Sequence, residues 1–247
     1  MATISNAAGS QGLATTITVG TTNIAASSGG IAGSTVLTIT APVSVLTTAS
    51  FTVGSNPEGI AIDASGNVWV TNSASNSVTE LTASGAYKNN TLVNSSFVTG
   101  VQSTGIAIDA SGNVWVADYG SGYVTELNAS GAFVNDFVVG GYPVAIAIDA
   151  SGYIWVANSV SNGYIGTTVT KLTASGAYAN GTLANSTFNA NNGAPMDIAI
   201  DSSGNVWVAS GLTGVVELNA SGAYINGTQA NSTFPIGGVP SASLLLP

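Results

Sequence analysis

GIAIDASGNVWV, residues 59–70, recurs unchanged at 105–116, and two close copies follow: AIAIDASGYIWV at 145–156 and DIAIDSSGNVWV at 197–208. Self-similarity at a fixed period identifies a repeat architecture before any strand or helix is assigned. The aspartates of the four copies, Asp63, Asp109, Asp149 and Asp201, stand 46, 40 and 52 residues apart. That length of chain makes one small sheet per repeat.

A second motif follows each copy: VTELTASGAY at 78–87, VTELNASGAF at 124–133, VTKLTASGAY at 169–178 and VVELNASGAY at 215–224. Each repeat therefore reads as four strands. Strand A is the Ile-Ala-Ile run, and Asp-x-Ser-Gly turns the chain into strand B, Val-Trp-Val. Strand C is Val-Thr-Glu-Leu, and Ala-Ser-Gly leads into a variable strand D ending near Phe97, Phe137, Phe188 or Phe234. No window sustains a 3.6-residue apolar period, so the chain is all-β.

Four-stranded units at this spacing predict a β-propeller, with blades packed face to face around a channel. Trp69, Trp115, Trp155 and Trp207 occupy one aligned position in strand B, which predicts packing between blades rather than a ligand cage. After Phe234, PIGGVPSASLLLP matches the run that follows Phe51 and places Ser243 to Leu245 at strand A. Outer strands for that last blade are available at Thr35 to Thr40 and Val43 to Thr47. The expectation is five blades, the fifth closed by pairing N-terminal strands with the C-terminal strand, which leaves no open edge. The propeller then spans residues 34–247, with full repeats near 51–96, 97–136, 137–187 and 188–233, and a shared closing blade of 34–50 plus 234–247. Residues 1–33, with one strand candidate at Thr15 to Val19, form an extension and a candidate assembly arm by strand addition.

The GIAIDASGNVWV signature followed by VTELTASGA resembles the NHL-repeat family of β-propellers, in the branch of extracellular and surface proteins. The match covers roughly residues 51–247. The resemblance implies an interaction platform, in rings that usually have six blades. Relatives of the same architecture include lyases and lactonases, which depend on histidine or metal-coordinating groups at the channel face. This chain has no histidine, and no nucleophile stands beside a base. The expectation is no catalytic residue, no cofactor and no enzyme activity.

Composition narrows the partners. Of 247 residues, 11 are Asp or Glu and 2 are Lys or Arg, for a formal net charge of -9. Two lysines form no basic patch, which excludes nucleic acid and anionic bilayers as expected partners. Ser and Thr number 59, and these with 23 Asn supply the surface polarity, while 45% hydrophobic residues suffice for a core. No cysteine is present, so disulfides and thiolate metal sites are excluded. No run approaches eighteen apolar residues, so no membrane span is expected, and no signal peptide is visible at the N-terminus. The ion-poor surface points to an extracellular or cell-surface location.

The four repeat aspartates are expected to accept backbone N–H groups in Asx turns, a blade width apart and too distant to share a metal ion. Glu80, Glu126, Glu217 and Lys171 share one position in strand C and are expected to be solvated. A binding site is expected at the channel mouth, on loops carrying Glu58, Asn72, Asp118, Tyr119, Tyr142, Asn158, Asp197 and Ser210. Asn72, Asp118, Asn158 and Ser210 follow strand B at one aligned position and are expected to ring the mouth. N-glycosylation triplets begin at Asn89, Asn94, Asn128, Asn180, Asn185, Asn219, Asn226 and Asn231. The leading expectation is a secreted or surface structural propeller that self-associates into a filament or layer, because ion-poor contacts bury few charges. The alternative is a monomeric module that binds a glycan or peptide at the channel mouth.

Overall fold

The computed structural model describes residues 2–5, 13–16, 20–28, 31–39, 50–159, 167–190, 194–211, 214–229 and 232–234. Two compact units divide it, Met1–Ser50 and Phe51–Pro247. In the first, β1 (Ala2–Ser5) pairs antiparallel with β2 (Leu13–Thr16). A longer hairpin joins β3 (Gly20–Ser28) to β4 (Ile31–Ile39), in register from Gly20 opposite Ile39 to Ser28 opposite Ile31. Of the strand expected at Thr35 to Thr40, residues 35–39 lie in β4, paired with β3, and Thr40 lies outside the described residues. That strand's expected neighbour at Val43 to Thr47 and the C-terminal run 243–245 lie outside the described residues.

The second unit holds four antiparallel sheets of four strands, the blades of a β-propeller. Blade one is β5 (Pro57–Ile62), β6 (Val68–Asn72), β7 (Ser77–Leu81) and β8 (Ser96–Val98). Blade two is β9 (Ser103–Ile108), β10 (Val114–Asp118), β11 (Tyr123–Leu127) and β12 (Phe133–Val138). Blade three is β13 (Tyr142–Ile148), β14 (Ile154–Ser159), β15 (Thr168–Leu172) and β16 (Thr187–Asn189). Blade four is β17 (Pro195–Ile200), β18 (Val206–Ser210), β19 (Gly214–Leu218) and β20 (Thr233–Phe234). These four sheets do not close into a ring among the described residues. The shortness of the second repeat has a local cause. Blades one and three place a 3-10 turn, Val93–Ser95 or Ala184–Ser186, before the outer strand, whereas in blade two the chain enters β12 directly from the Ala-Ser-Gly turn.

The Asp-x-Ser-Gly turn is held as expected. Asp63 Oδ1 accepts the N–H groups of Ser65 and Asn67, both at 2.8 Å, while Gly66 takes φ 80°. The second carboxylate oxygen has a further role, accepting the indole N–H six residues on. Trp69, Trp115, Trp155 and Trp207 donate to Asp63, Asp109, Asp149 and Asp201 at 3.3, 3.1, 3.0 and 3.0 Å. At Asp201 the Trp207 indole leads the contacts that hold the carboxyl below its ordinary range. Asp149→Ala removes the acceptor for two backbone N–H groups and for the Trp155 indole. It is expected to cost about 2 kcal/mol in urea unfolding, and Asp149→Asn, which keeps one acceptor oxygen, is expected to lose less.

Blades pack through three apolar cores, each shared by two neighbours. Trp69 and Val78 of blade one meet Val114, Val116 and Leu127 of blade two. Trp115 and Val124 meet Ile146, Ile154, Val156 and Leu172, and Trp155 and Val169 meet Ile198, Val206, Val208 and Leu218. The tryptophans therefore pack between blades. Each also lies against a phenylalanine of its own outer strand, with ring centroids 5.5 to 5.9 Å apart.

The strand C charges are not solvated, which corrects the expectation for Glu80, Glu126, Glu217 and Lys171. All four are buried. Each stands directly opposite a tryptophan in the ladder, Trp69 facing Glu80 and Trp155 facing Lys171. Cross-strand partners share a face, and in blades one to three that face is the one the next blade covers. Burial pushes the Glu80 carboxyl up, with the Lys88 ammonium at 3.3 Å pulling it back. Burial lowers Lys171, whose ammonium donates to the Ala220 carbonyl at 2.8 Å and sits 3.9 Å from the Tyr153 ring centroid.

Candidate functional site

Strands β5, β9, β13 and β17 are the innermost of their blades and lie side by side in that order at the hub. Side-chain hydroxyls lace them together. The Thr71 hydroxyl accepts the Gly59 N–H at 2.7 Å and donates to the Thr104 carbonyl at 2.5 Å, and the Thr104 hydroxyl reaches the Pro143 carbonyl at 3.3 Å. Between these strands opens a cleft of about 290 Å³. Ile60, Ile106, Val144 and Met196 bring apolar side chains to a lining that is more polar than apolar, and Glu58 and Asp197 bring two carboxylates to it.

Of the residues expected at the channel mouth, the structure brings Glu58 and Asp197 to this cleft. Both are exposed. Glu58 Oε1 accepts the Ser73 hydroxyl at 2.6 Å and the Asn56 amide at 2.9 Å, and Asp197 accepts the Ile198 N–H at 2.8 Å. Tyr119 and Tyr142 are half-buried and pair with each other, ring centroids 5.4 Å apart, without lining the cleft.

Asn72, Asp118, Asn158 and Ser210 do not ring the mouth, and their expected placement is corrected. All four are buried. Strand B continues through this position instead of ending before it, so the side chains are rungs inside the sheet. The Asn72 amide donates to the Val70 carbonyl at 3.2 Å and the Thr79 hydroxyl at 3.0 Å. The Asn158 amide donates to the Val139 carbonyl at 3.1 Å and the Thr170 hydroxyl at 3.0 Å. Sequence reading missed the apolar side chains of the cleft.

Among the glycosylation triplets, Asn89, Asn180, Asn185 and Asn226 are exposed on the outer rim. Asn128 and Asn219 are half-buried, each accepting two backbone N–H groups of its own turn. The side chain of Asn94 and all of Asn231 lie outside the described residues. No three acidic side chains converge among the described residues, and none of the helices there is long and apolar enough to cross a membrane.

The class this architecture defines is the β-propeller, and the solved structures it resembles agree. A streptogramin B lyase superposes with a TM-score of 0.57 at 21% identity, over 68% of this chain and 53% of that one. Virginiamycin B lyase from Staphylococcus aureus matches at 0.59 and 16%, over 74% and 56%. Hydrazine synthase from Kuenenia stuttgartiensis matches at 0.60 and 18%, over 73% and 51%. The chain spans about half the length of these structures. No family model and no curated protein sequence matches it. The lyases overturn the expectation of a chain without enzyme activity. That expectation rested on the missing histidine, whereas enzymes stand among the proteins of this fold. At such identities the likeness establishes the architecture and transfers no residue's role.

Proposed function

We propose that this chain is an interaction β-propeller of the NHL-repeat type, working outside the cell, whose partner enters the hub cleft. The observation that carries this reading is the cleft itself, where inner strands of all four blades converge with apolar side chains and the Glu58 and Asp197 carboxylates. Concave sites that join apolar patches to a few placed polar groups are a common form of binding site. Such a lining suits a peptide with apolar and cationic side chains better than a glycan, because the aromatic pair Tyr119 and Tyr142 lies off the cleft. The four-fold repeat supports the family, and the ion-poor surface supports the location.

Fluorescence anisotropy with a labelled Leu- and Lys-rich peptide tests the reading. Replacing Glu58 by Gln and Asp197 by Asn together is expected to weaken binding by about tenfold. Equal affinity of the double variant and the native chain sinks it.

Self-association is a second reading, favoured by the two outermost blade faces. Ile60 of blade one is 68% exposed, whereas its counterparts Ile146 and Ile198 are 7% and 6% exposed, and Ile62 is 66% exposed where its counterparts Ile108, Ile148 and Ile200 are half-buried. Phe234 of blade four is 43% exposed. Light scattering of the full chain, with Ile62→Lys, which lies off the cleft, as the comparison, separates the readings. Oligomer from the native chain and monomer from the variant support association through these faces.

A further inference from the structure

Blade two departs from the repeat at two positions that touch each other. Where blades one and three carry Asn72 and Asn158 at the end of strand B, it carries Asp118. Where their outer strands place Ser96 and Thr187 against strand C, β12 places Asp136. The Thr125 hydroxyl lies between the two carboxylates, 2.5 Å from Asp118 Oδ2 and 2.7 Å from Asp136 Oδ1. A hydroxyl carries one proton and donates one hydrogen bond. Two ionised carboxylates cannot both be its acceptors, so one of the short contacts requires a carboxylic acid that donates to Thr125. Asp118 is fully buried and Asp136 is exposed. The extra proton therefore belongs on Asp118, with Thr125 donating onward to Asp136. The asparagines of blades one and three make the same bond permanently, each amide donating at 3.0 Å to the equivalent threonine.

We propose that blade two contains a proton switch, in which a proton on Asp118, relayed through Thr125 to Asp136, seats β12 and the 98–100 loop, and loss of that proton loosens both. The loop takes part because the Gly100 N–H also bonds Asp118. The groups facing Asp118 leave its charge uncompensated. Strand β9 brings the Ser103 hydroxyl at 2.8 Å, and β11 brings Thr125, with Tyr123 opposite Asp118 in register. Strand β12 brings the like charge of Asp136, and β13 brings Tyr142, its ring tilted against that of Tyr119. Burial pushes the Asp118 carboxyl up to about 6, against the hydrogen bonds of Thr125, Ser103 and Gly100 and with Asp136 adding to the rise. A carboxyl raised on folding contributes stability at low pH that is lost as pH climbs from about 4 to about 6. Thr125, Asp136, Val98 and Gly100 also line an open pocket of about 280 Å³, so the switch acts on a surface a ligand can reach.

Hydrogen exchange on the full chain, corrected for the intrinsic pH dependence of exchange, tests this. Opening of the β12 amides is expected to rise about 100-fold between about pH 4 and about pH 7. The β16 amides of blade three, whose aligned residues are neutral, are expected to stay level. In Asp118→Asn the rise disappears. Infrared spectroscopy gives a second readout, a carboxylic acid carbonyl band at about pH 5 that the native chain shows and Asp118→Asn lacks. The proposal is overturned by absence of that band, by an equal rise in β16, or by a rise that survives in Asp118→Asn.

Discussion

Trp115→Ala is expected to lower the unfolding free energy by about 4 kcal/mol, in the range for truncating a large buried aromatic. Trp115 has no exposed surface. It packs on Phe137 at 5.6 Å between ring centroids and donates to Asp109 at 3.1 Å. Its far side meets Ile146, Ile154, Val156 and Leu172 of blade three. Truncation leaves a cavity between two sheets and removes the donor that bonds a turn carboxylate. Trp207 occupies the aligned position in blade four, keeps its bonds to Asp201 and Phe234, and is only half-buried. Trp207→Ala is therefore expected to cost about half as much, since burial sets the cost. Urea titrations followed by circular dichroism measure both. Equal losses would show that the indole stabilises its own blade and contributes little between blades.

Gly105→Ala is the second large effect, expected at about 3 kcal/mol, the upper end for overpacking. A methyl group there would meet the Ala145 Cα and the Val144 carbonyl oxygen, each at 2.6 Å. Both are backbone atoms of the adjacent inner strand, and neither can turn aside as a flexible side chain would. The two inner strands must separate, opening the hub where the Thr104 hydroxyl reaches the Pro143 carbonyl. A comparison with Gly181→Ala separates the two sources of cost. Gly181 sits in an outer loop at φ 83° with nothing near the added carbon, so that variant registers backbone strain without the clash. A smaller loss at Gly105 than at Gly181 would mean that the inner strands are not in contact.

The sequence was most legible where the interaction partners lie close along the chain. Asp63 and Ser65 bond two residues apart and Asp63 and Asn67 four apart, so the repeated Asp-x-Ser-Gly motif contained the turn. The indole bond to the same aspartate was also within reach, because its six-residue spacing recurs in all four copies. Glu58 and Asp197 were expected on loops at the channel mouth, whereas the structure places them within the inner strands β5 and β17, where they line the hub cleft.

The errors came where the neighbour is a blade away. Glu80 and Lys171 were expected to be solvated because strand C lies well out from the axis, yet the neighbouring sheet buries them. Propeller blades have no water-facing side except at the ends of the stack, because both faces of each sheet are covered by sheets 40 to 52 residues distant in the chain. The amino-acid sequence by itself determined the blade, its turns and its number of strands, since those rest on short-range spacing and the period of the repeat. Tertiary structure alone decided which polar groups are buried, that Asp118 and Asp136 share one hydroxyl, and that the hub strands leave a cleft. Those properties depend on the distance and angle between sheets, set by Trp-to-Val packing and close backbone approach.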